Sequence, residues 1–156
     1  MKVYQYAVRA HLETRAQYLV CEKTFNSKEE TKLDNPKALE YFLNEYADAA
    51  ELPNEKMWLF CLDNAARLIG FSELTQGTDS ATIFVIKRAL QIALMTGASA
   101  IAVAHNHPSG SLEPSNEDIG TTRRVNDACN LLGINLLDHV IVSYKGYYSF
   151  REGGLL

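Results

Sequence analysis

The feature that most constrains this chain is a short apolar run, "ASAIAVAH" at residues 98–105, which ends in the polar stretch "NHPSGSLEPSNEDIG". From Ala100 to Ala104 this short run has no polar position and so no face to give to water, and it reads as a buried central strand, parallel to a neighbour and covered on both sides. Helical spacing flanks it. "IKRALQIALMTG" is helical from Ile86 and stops at Gly97, and "SNEDIGTTRRVNDACNLLG" is a second helix that stops at Gly133. Strand and helix in this order require an α/β layer structure, a single-domain mixed β-sheet flanked by helices.

The rest of the chain supplies more strands. Residues 2–21 read as two strands with a turn near residues 13–15, and "EKTFNSKEETKLDNP" reads as polar and turn-rich. In "NPKALEYFLNEYADAAE" Asn35 can cap a helix and Pro36 fits its first position, while Leu39, Phe42, Leu43 and Tyr46 form one stripe. "KMWLFCLDNAARLIGFSEL" gives two apolar runs around Asp63 and Asn64, an antiparallel hairpin, followed by a tight turn in "TQGTDS". "NLLDHVIVSYKGYYSFREGG" gives two final strands around Lys145 and Gly146. A boundary near Leu52-Pro53-Asn54 separates residues 1–55, the N-terminal strands and acidic helix, from residues 56–156, and both parts are expected in one packed domain.

Bulk properties exclude several classes of function. The chain has 156 residues, 47% hydrophobic and 22% charged, with a net charge of −4. That balance disfavours a generic nucleic-acid binder, which presents a basic face. No stretch reaches the roughly 18 unbroken apolar residues of a membrane span, and "MKVYQYAVRAHLE" lacks the apolar segment of a secretion signal. Cys21, Cys61 and Cys129 are sparse, odd in number and unpaired in spacing, which points to reduced thiols and a cytoplasmic protein.

Chemistry concentrates where the apolar strand ends. Side chains alternate along a strand, so His105 and His107 face one way and Asn106 the other. Asp118, on the first turn of the next helix, would complete a set of two histidines and one aspartate, leaving a position for water as a catalytic zinc requires. The residual charge of such a site lowers the pKa of bound water and polarises an acyl oxygen. Ser115 and Asp118 also have the spacing of a capping box, and this alone would account for both residues.

The segment resembles the JAMM signature of the MPN-type zinc metallopeptidases, H-x-H, seven residues, S, two residues, D, and His105, His107, Ser115 and Asp118 occupy its fixed positions. The closer likeness is to the RadC-like branch, through "AHNHPSG", "EPSNEDI", "LLGINLLDHVIV" and "GYYSF", over roughly residues 56–156. The resemblance implies a JAMM/MPN (cytidine deaminase-like) architecture. It also implies one zinc ion per chain held by His105, His107 and Asp118, with the Ser115 hydroxyl near the metal-bound water.

One family element is missing. JAMM enzymes use a remote glutamate as general base, and many RadC-like chains open the helix before the HNHPSG strand with Pro-Arg-Glu; here Ile86, Lys87 and Arg88 stand in that place. Glu73, at a strand end before a turn, is the best substitute, ahead of Glu113 and Glu117. Longer RadC-like proteins carry a helix-hairpin-helix region that would bind DNA, and nothing in residues 1–55 looks like it. Lys87, Arg88, Arg123 and Arg124 form either a small basic spot or ordinary surface charge. His139 is either a satisfied core histidine or, with Asp138, a partner that orients a ligand.

Three functions follow as expectations. The first is a zinc-dependent hydrolase of a peptide or isopeptide-like amide bond, with Ser115 supporting the oxyanion and Glu73 as base. The second is a non-catalytic zinc-binding interaction protein, and the third a DNA-repair or DNA-processing accessory factor. The substrate is an unidentified peptide or protein, DNA is disfavoured, no membrane is involved, and unpaired strand edges leave room for a homodimer.

Overall fold

The computed structural model describes residues 2–27, 31–74 and 82–156. Seven strands form one mixed sheet: β1 (Lys2–Ala10), β2 (Gln17–Asn26), β3 (Met57–Leu62), β4 (Leu68–Glu73), β5 (Ala100–Asn106), β6 (Asn135–Ser143) and β7 (Gly146–Ser149). The helices are α1 (Pro36–Ala47), α2 (Thr82–Thr96) and α3 (Asn116–Leu132), with a 3-10 turn at Ala49–Glu51. The sheet order is β2-β1-β4-β3-β5-β6-β7. β5 runs parallel to β6 and antiparallel to β3, and all seven of its residues are buried. The turn read in residues 75–80 lies outside the described residues.

The sheet is covered on both faces. On one face α1 sends Leu39, Phe42 and Leu43 into a cluster with Trp58, Phe60, Phe71, Ala102, Ala104, Val140 and Val142. On the other, Ala89 and Ile92 of α2 and Val125 and Cys129 of α3 pack on Leu59, Cys61, Ile101 and Val103. Alternation along β5 therefore sends Ile101, Val103 and His105 toward α2 and α3, and Ala102, Ala104 and Asn106 toward α1. At the sheet's far side Gly70 of β4 is required by packing, because a Cβ there would run into the Tyr6 ring of β1.

Two local readings need correction. β2 continues to Asn26 through "EKTFN", because an edge strand keeps its ladder to β1 with polar side chains in water; Lys2 pairs with Asn26. α2 begins at Thr82, not Ile86. Its opening, "TIFVI", is rich in β-branched residues, which are weak helix formers, so spacing and propensity do not mark the start. The α1 start is as read: the Asn35 side chain accepts from the Ala38 N–H at 2.9 Å and Pro36 follows. Among the described residues no helix is long and apolar enough to cross a membrane.

Asn106 locks the end of β5. Its Oδ1 accepts from the Lys56 N–H at 2.7 Å and its Nδ2 donates to the Asn54 carbonyl at 3.0 Å, both from the segment leading into β3. Asn106→Ala removes both of these part-buried hydrogen bonds, so a loss of about 1–3 kcal/mol is expected, roughly 0.5–1.5 kcal/mol for each, read from the denaturant midpoint.

Candidate metal centre

The carboxyl end of β5 and the N-terminus of α3 meet beside the end of β6, the edge where α/β sheets hold ligands. His105 is the last inward-facing residue of β5 on the α2/α3 face and is 4% exposed. His107 lies one step past the strand, where its N–H donates to the Val142 carbonyl of β6 at 2.9 Å. The chain then turns at "HPSG", with the Gly110 N–H donating to the His107 carbonyl at 3.0 Å. Gly110 has φ +80, a left-handed backbone that favours glycine, and the exposed Tyr144 ring lies over it, 2.5 Å from where a Cβ would stand.

The turn also fixes His107. Its Nδ1 stands 3.0 Å from the Ser111 carbonyl, which can only accept, so Nδ1 carries the proton and Nε2 keeps its lone pair. That Nε2 lies 2.9 Å from His105 Nε2.

Ser115 and Asp118 build a capping box, and the same bonds place the Asp118 carboxylate beside the two histidines. The Ser115 Oγ accepts from the Asp118 N–H at 3.1 Å, while Asp118 Oδ2 accepts from the Ser115 N–H at 2.8 Å and the Ser115 hydroxyl at 2.6 Å. With Oδ2 held, Oδ1 points to His105 Nε2 at 3.2 Å, and Oδ2 is 3.7 Å from His107 Nε2. Burial pushes the Asp118 carboxyl up, but His105 and the Ser115 hydrogen bonds outweigh it and hold the group well below the usual carboxylate range. The capping and ligand readings are thus one geometry.

These residues fit a divalent ion. Among the described residues, His105, His107 and Asp118 bring three ligand atoms within 4.8 Å of one another. The two Nε2 atoms lie 2.9 Å apart, and each faces a different oxygen of Asp118, His105 Nε2 at 3.2 Å from Oδ1 and His107 Nε2 at 3.7 Å from Oδ2, distances of the order of the roughly 3.3 Å edge of a tetrahedron with bonds of about 2.0–2.1 Å. Two imidazoles and a carboxylate are donors suited to a transition metal more than to calcium or magnesium.

His139, read as a possible ligand-orienting partner, and Thr122, which no motif picks out, stand behind the cluster. His139 of β6 is buried, with Nε2 2.8 Å from His105 Nδ1 and Nδ1 2.6 Å from the Thr122 Oγ1 of α3. Burial, and then the nearby His105, hold its pKa well below the ordinary histidine value. Thr122 lies four residues beyond Asp118, on the same helix face, and this spacing is the one signal that could have found it. Asp138 turns the other way and accepts from the His139 N–H, Ser149 Oγ and Arg151 N–H. Burial raises its pKa despite the Ser149 hydrogen bond.

Glu73 is not brought to the cluster. It pairs with Trp58, whereas Met57 pairs with His105, so its side chain leaves the sheet on the α1 face, opposite His105. Lys56 Nζ holds its carboxylate at 3.0 and 3.1 Å. Glu113 and Glu117 are exposed, as are Lys87, Arg123 and Arg124, and Arg88 is half-buried.

Comparison with known proteins agrees with this geometry. The RadC-like JAB domain family matches residues 33–155. A UPF0758 protein of Thermotoga maritima is 43% identical over 105 residues, 67% of this chain and 47% of that protein. A UPF0758 protein of Porphyromonas gingivalis is 42% identical over 107 residues, 68% of this chain and 47% of that protein. A UPF0758 protein of Streptococcus pyogenes serotype M49 is 34% identical over 155 residues, 99% of this chain and 66% of that protein. The chain therefore spans about half the length of the first two. The family match covers most of the chain and takes in every residue of the signature, so the chain belongs to the RadC-like JAB domain family, within the JAMM/MPN superfamily.

Proposed function

We propose that this domain is a zinc-dependent hydrolase of a peptide or isopeptide-like amide bond in a cytoplasmic protein substrate. The observation that carries the reading is the convergence of His105 Nε2, His107 Nε2 and the Asp118 carboxylate beside the Ser115 hydroxyl at an exposed helix start. A zinc ion held by these three residues would supply Lewis acidity toward the scissile carbonyl and water. The protein's part is positional. Ser111 fixes the His107 ring, the Ser115 N–H and hydroxyl hold the Asp118 carboxylate, and the hydroxyl stands at the rim, where turning its one proton from Asp118 Oδ2 would let it donate to an acyl oxygen that gains negative charge. The three free cysteines accord with a reducing compartment.

A second reading, a zinc-binding interaction protein without catalysis, is favoured by the placement of Glu73 against Lys56 on the far face. One experiment separates the two. The zinc-loaded chain is incubated with a panel of peptide and isopeptide-linked substrates, with and without chelator. The expected result is cleavage that chelator removes and zinc restores. Ser115→Ala is expected to keep its zinc, lose about 0.5–2 kcal/mol of stability through the cap, and slow cleavage by about 10²–10³-fold. Stoichiometric zinc with no cleavage across the panel replaces the hydrolase reading with the interaction reading.

A further inference from the structure

His105 meets the other two ligands through Nε2, and it can present a lone pair there only if its proton sits on Nδ1. Unlike His107, it has no carbonyl at Nδ1 to settle the matter. Its Nδ1 faces His139 Nε2 at 2.8 Å, and an imidazole nitrogen can either donate or accept. The choice is passed to His139, and from His139 Nδ1 to Thr122 Oγ1 at 2.6 Å. The row ends at a group with no choice: Thr122 Oγ1 lies 2.7 Å from the Asp118 carbonyl, which can only accept.

We propose that Thr122 and His139 act as a positioning relay that sets the tautomer of His105 and so turns its Nε2 lone pair toward His107 and Asp118. Each member of the row has one proton to give. Thr122 gives its proton to the Asp118 carbonyl, so its oxygen accepts from His139 Nδ1–H, and His139 Nε2 then accepts from His105 Nδ1–H. Run in reverse, the row would leave Thr122 Oγ1 and the Asp118 oxygen 2.7 Å apart with no hydrogen between them, and it would place a proton on His105 Nε2. Water does not compete, because Thr122 and His139 are each 1% exposed. The His139 ring is held flat against Phe150, with centroids 4.5 Å apart and planes 10° apart, and the Phe150 N–H donates to the His139 carbonyl at 2.9 Å. Asp118 is thus bound to the site twice, as a ligand through its carboxylate and through its backbone oxygen as the end of the row that orients the opposite ligand.

This inference rests on the metal-binding half of the proposed function and not on hydrolysis. Its test is the zinc affinity of the full chain, measured by chelator competition for wild type, Thr122→Val and Thr122→Ser, with thermal unfolding of each metal-free chain alongside. Thr122→Val keeps the side-chain shape and removes the hydroxyl, and a roughly 10–100-fold weaker zinc affinity is expected, the size associated with outer partners of metal ligands. Thr122→Ser restores the hydroxyl and is expected to return the affinity to within a few-fold of wild type. In the zinc-loaded wild type, the ring ¹⁵N spectrum should show His139 protonated at Nδ1 and bare at Nε2. The relay is overturned if His139 carries its proton on Nε2, or if Thr122→Val folds and binds zinc as wild type does. A wild-type chain that binds no zinc overturns the metal reading itself, and with it the relay; wild-type affinity retained in Thr122→Val overturns the relay alone.

Discussion

His107→Ala is expected to empty the chain of zinc. Wild-type protein dialysed against metal-free buffer should retain about one zinc per chain, since three protein ligands with one open position are the ordinary complement of a catalytic site. Removing His107 leaves His105 and Asp118, and affinity should fall by more than the roughly 10–100-fold that follows loss of an outer partner. The variant should stay folded. His107 sits past the strand end, and its backbone N–H, which donates to the Val142 carbonyl, does not depend on the side chain. Elemental analysis of the folded variant checks the prediction, and zinc retained at the wild-type level would remove His107 from the ligand set.

The second large effect concerns stability and lies on the opposite face. Phe42 of α1 packs edge-on against Phe60 and Phe71 of the sheet, at centroid distances of 5.5 and 5.1 Å, and is 2% exposed. It joins α1 to both strands of the β3–β4 hairpin, so truncation opens a cavity between helix and sheet. Phe42→Ala is expected to cost about 3–5 kcal/mol, a large share of the roughly 5–15 kcal/mol that a domain has in total. Urea titration of the metal-free chain reads it directly. A loss below 1 kcal/mol would mean that the α1 face is not the core that its burial indicates.

These sites differ in how well the sequence reveals them. The strand "ASAIAVAH", both flanking helices and the histidine pair are local patterns, each contained within some twenty residues or fewer, so periodicity and capping rules locate them. The C-terminal bounds of α2 and α3 are equally plain, since Gly97 and Gly133 adopt positive φ at the ends. The start of α2 is not, because the β-branched residues there are weak helix formers. Which face Glu73 takes depends on two strand registers, Trp58 with Glu73 and Met57 with His105, and no property of "GFSEL" contains that information. His139 is legible as a possible ligand-orienting residue, but its contact is not. It lies 34 residues from the histidine it contacts, and the parallel pairing of β5 with β6 alone brings them together.

The ligand set is split between two kinds of backbone, and that split bears on time rather than on affinity. His105 belongs to a strand hydrogen-bonded on both sides and covered on both faces. Such a segment lets go only when the whole molecule opens. Asp118 belongs to the first turn of a helix that begins at an exposed serine. Helix ends fray on far shorter timescales than central strands exchange. The carboxylate is therefore the arm that opens first, and the dwell time of anything held here is set by how fast the Ser115–Asp118 cap breaks and closes again.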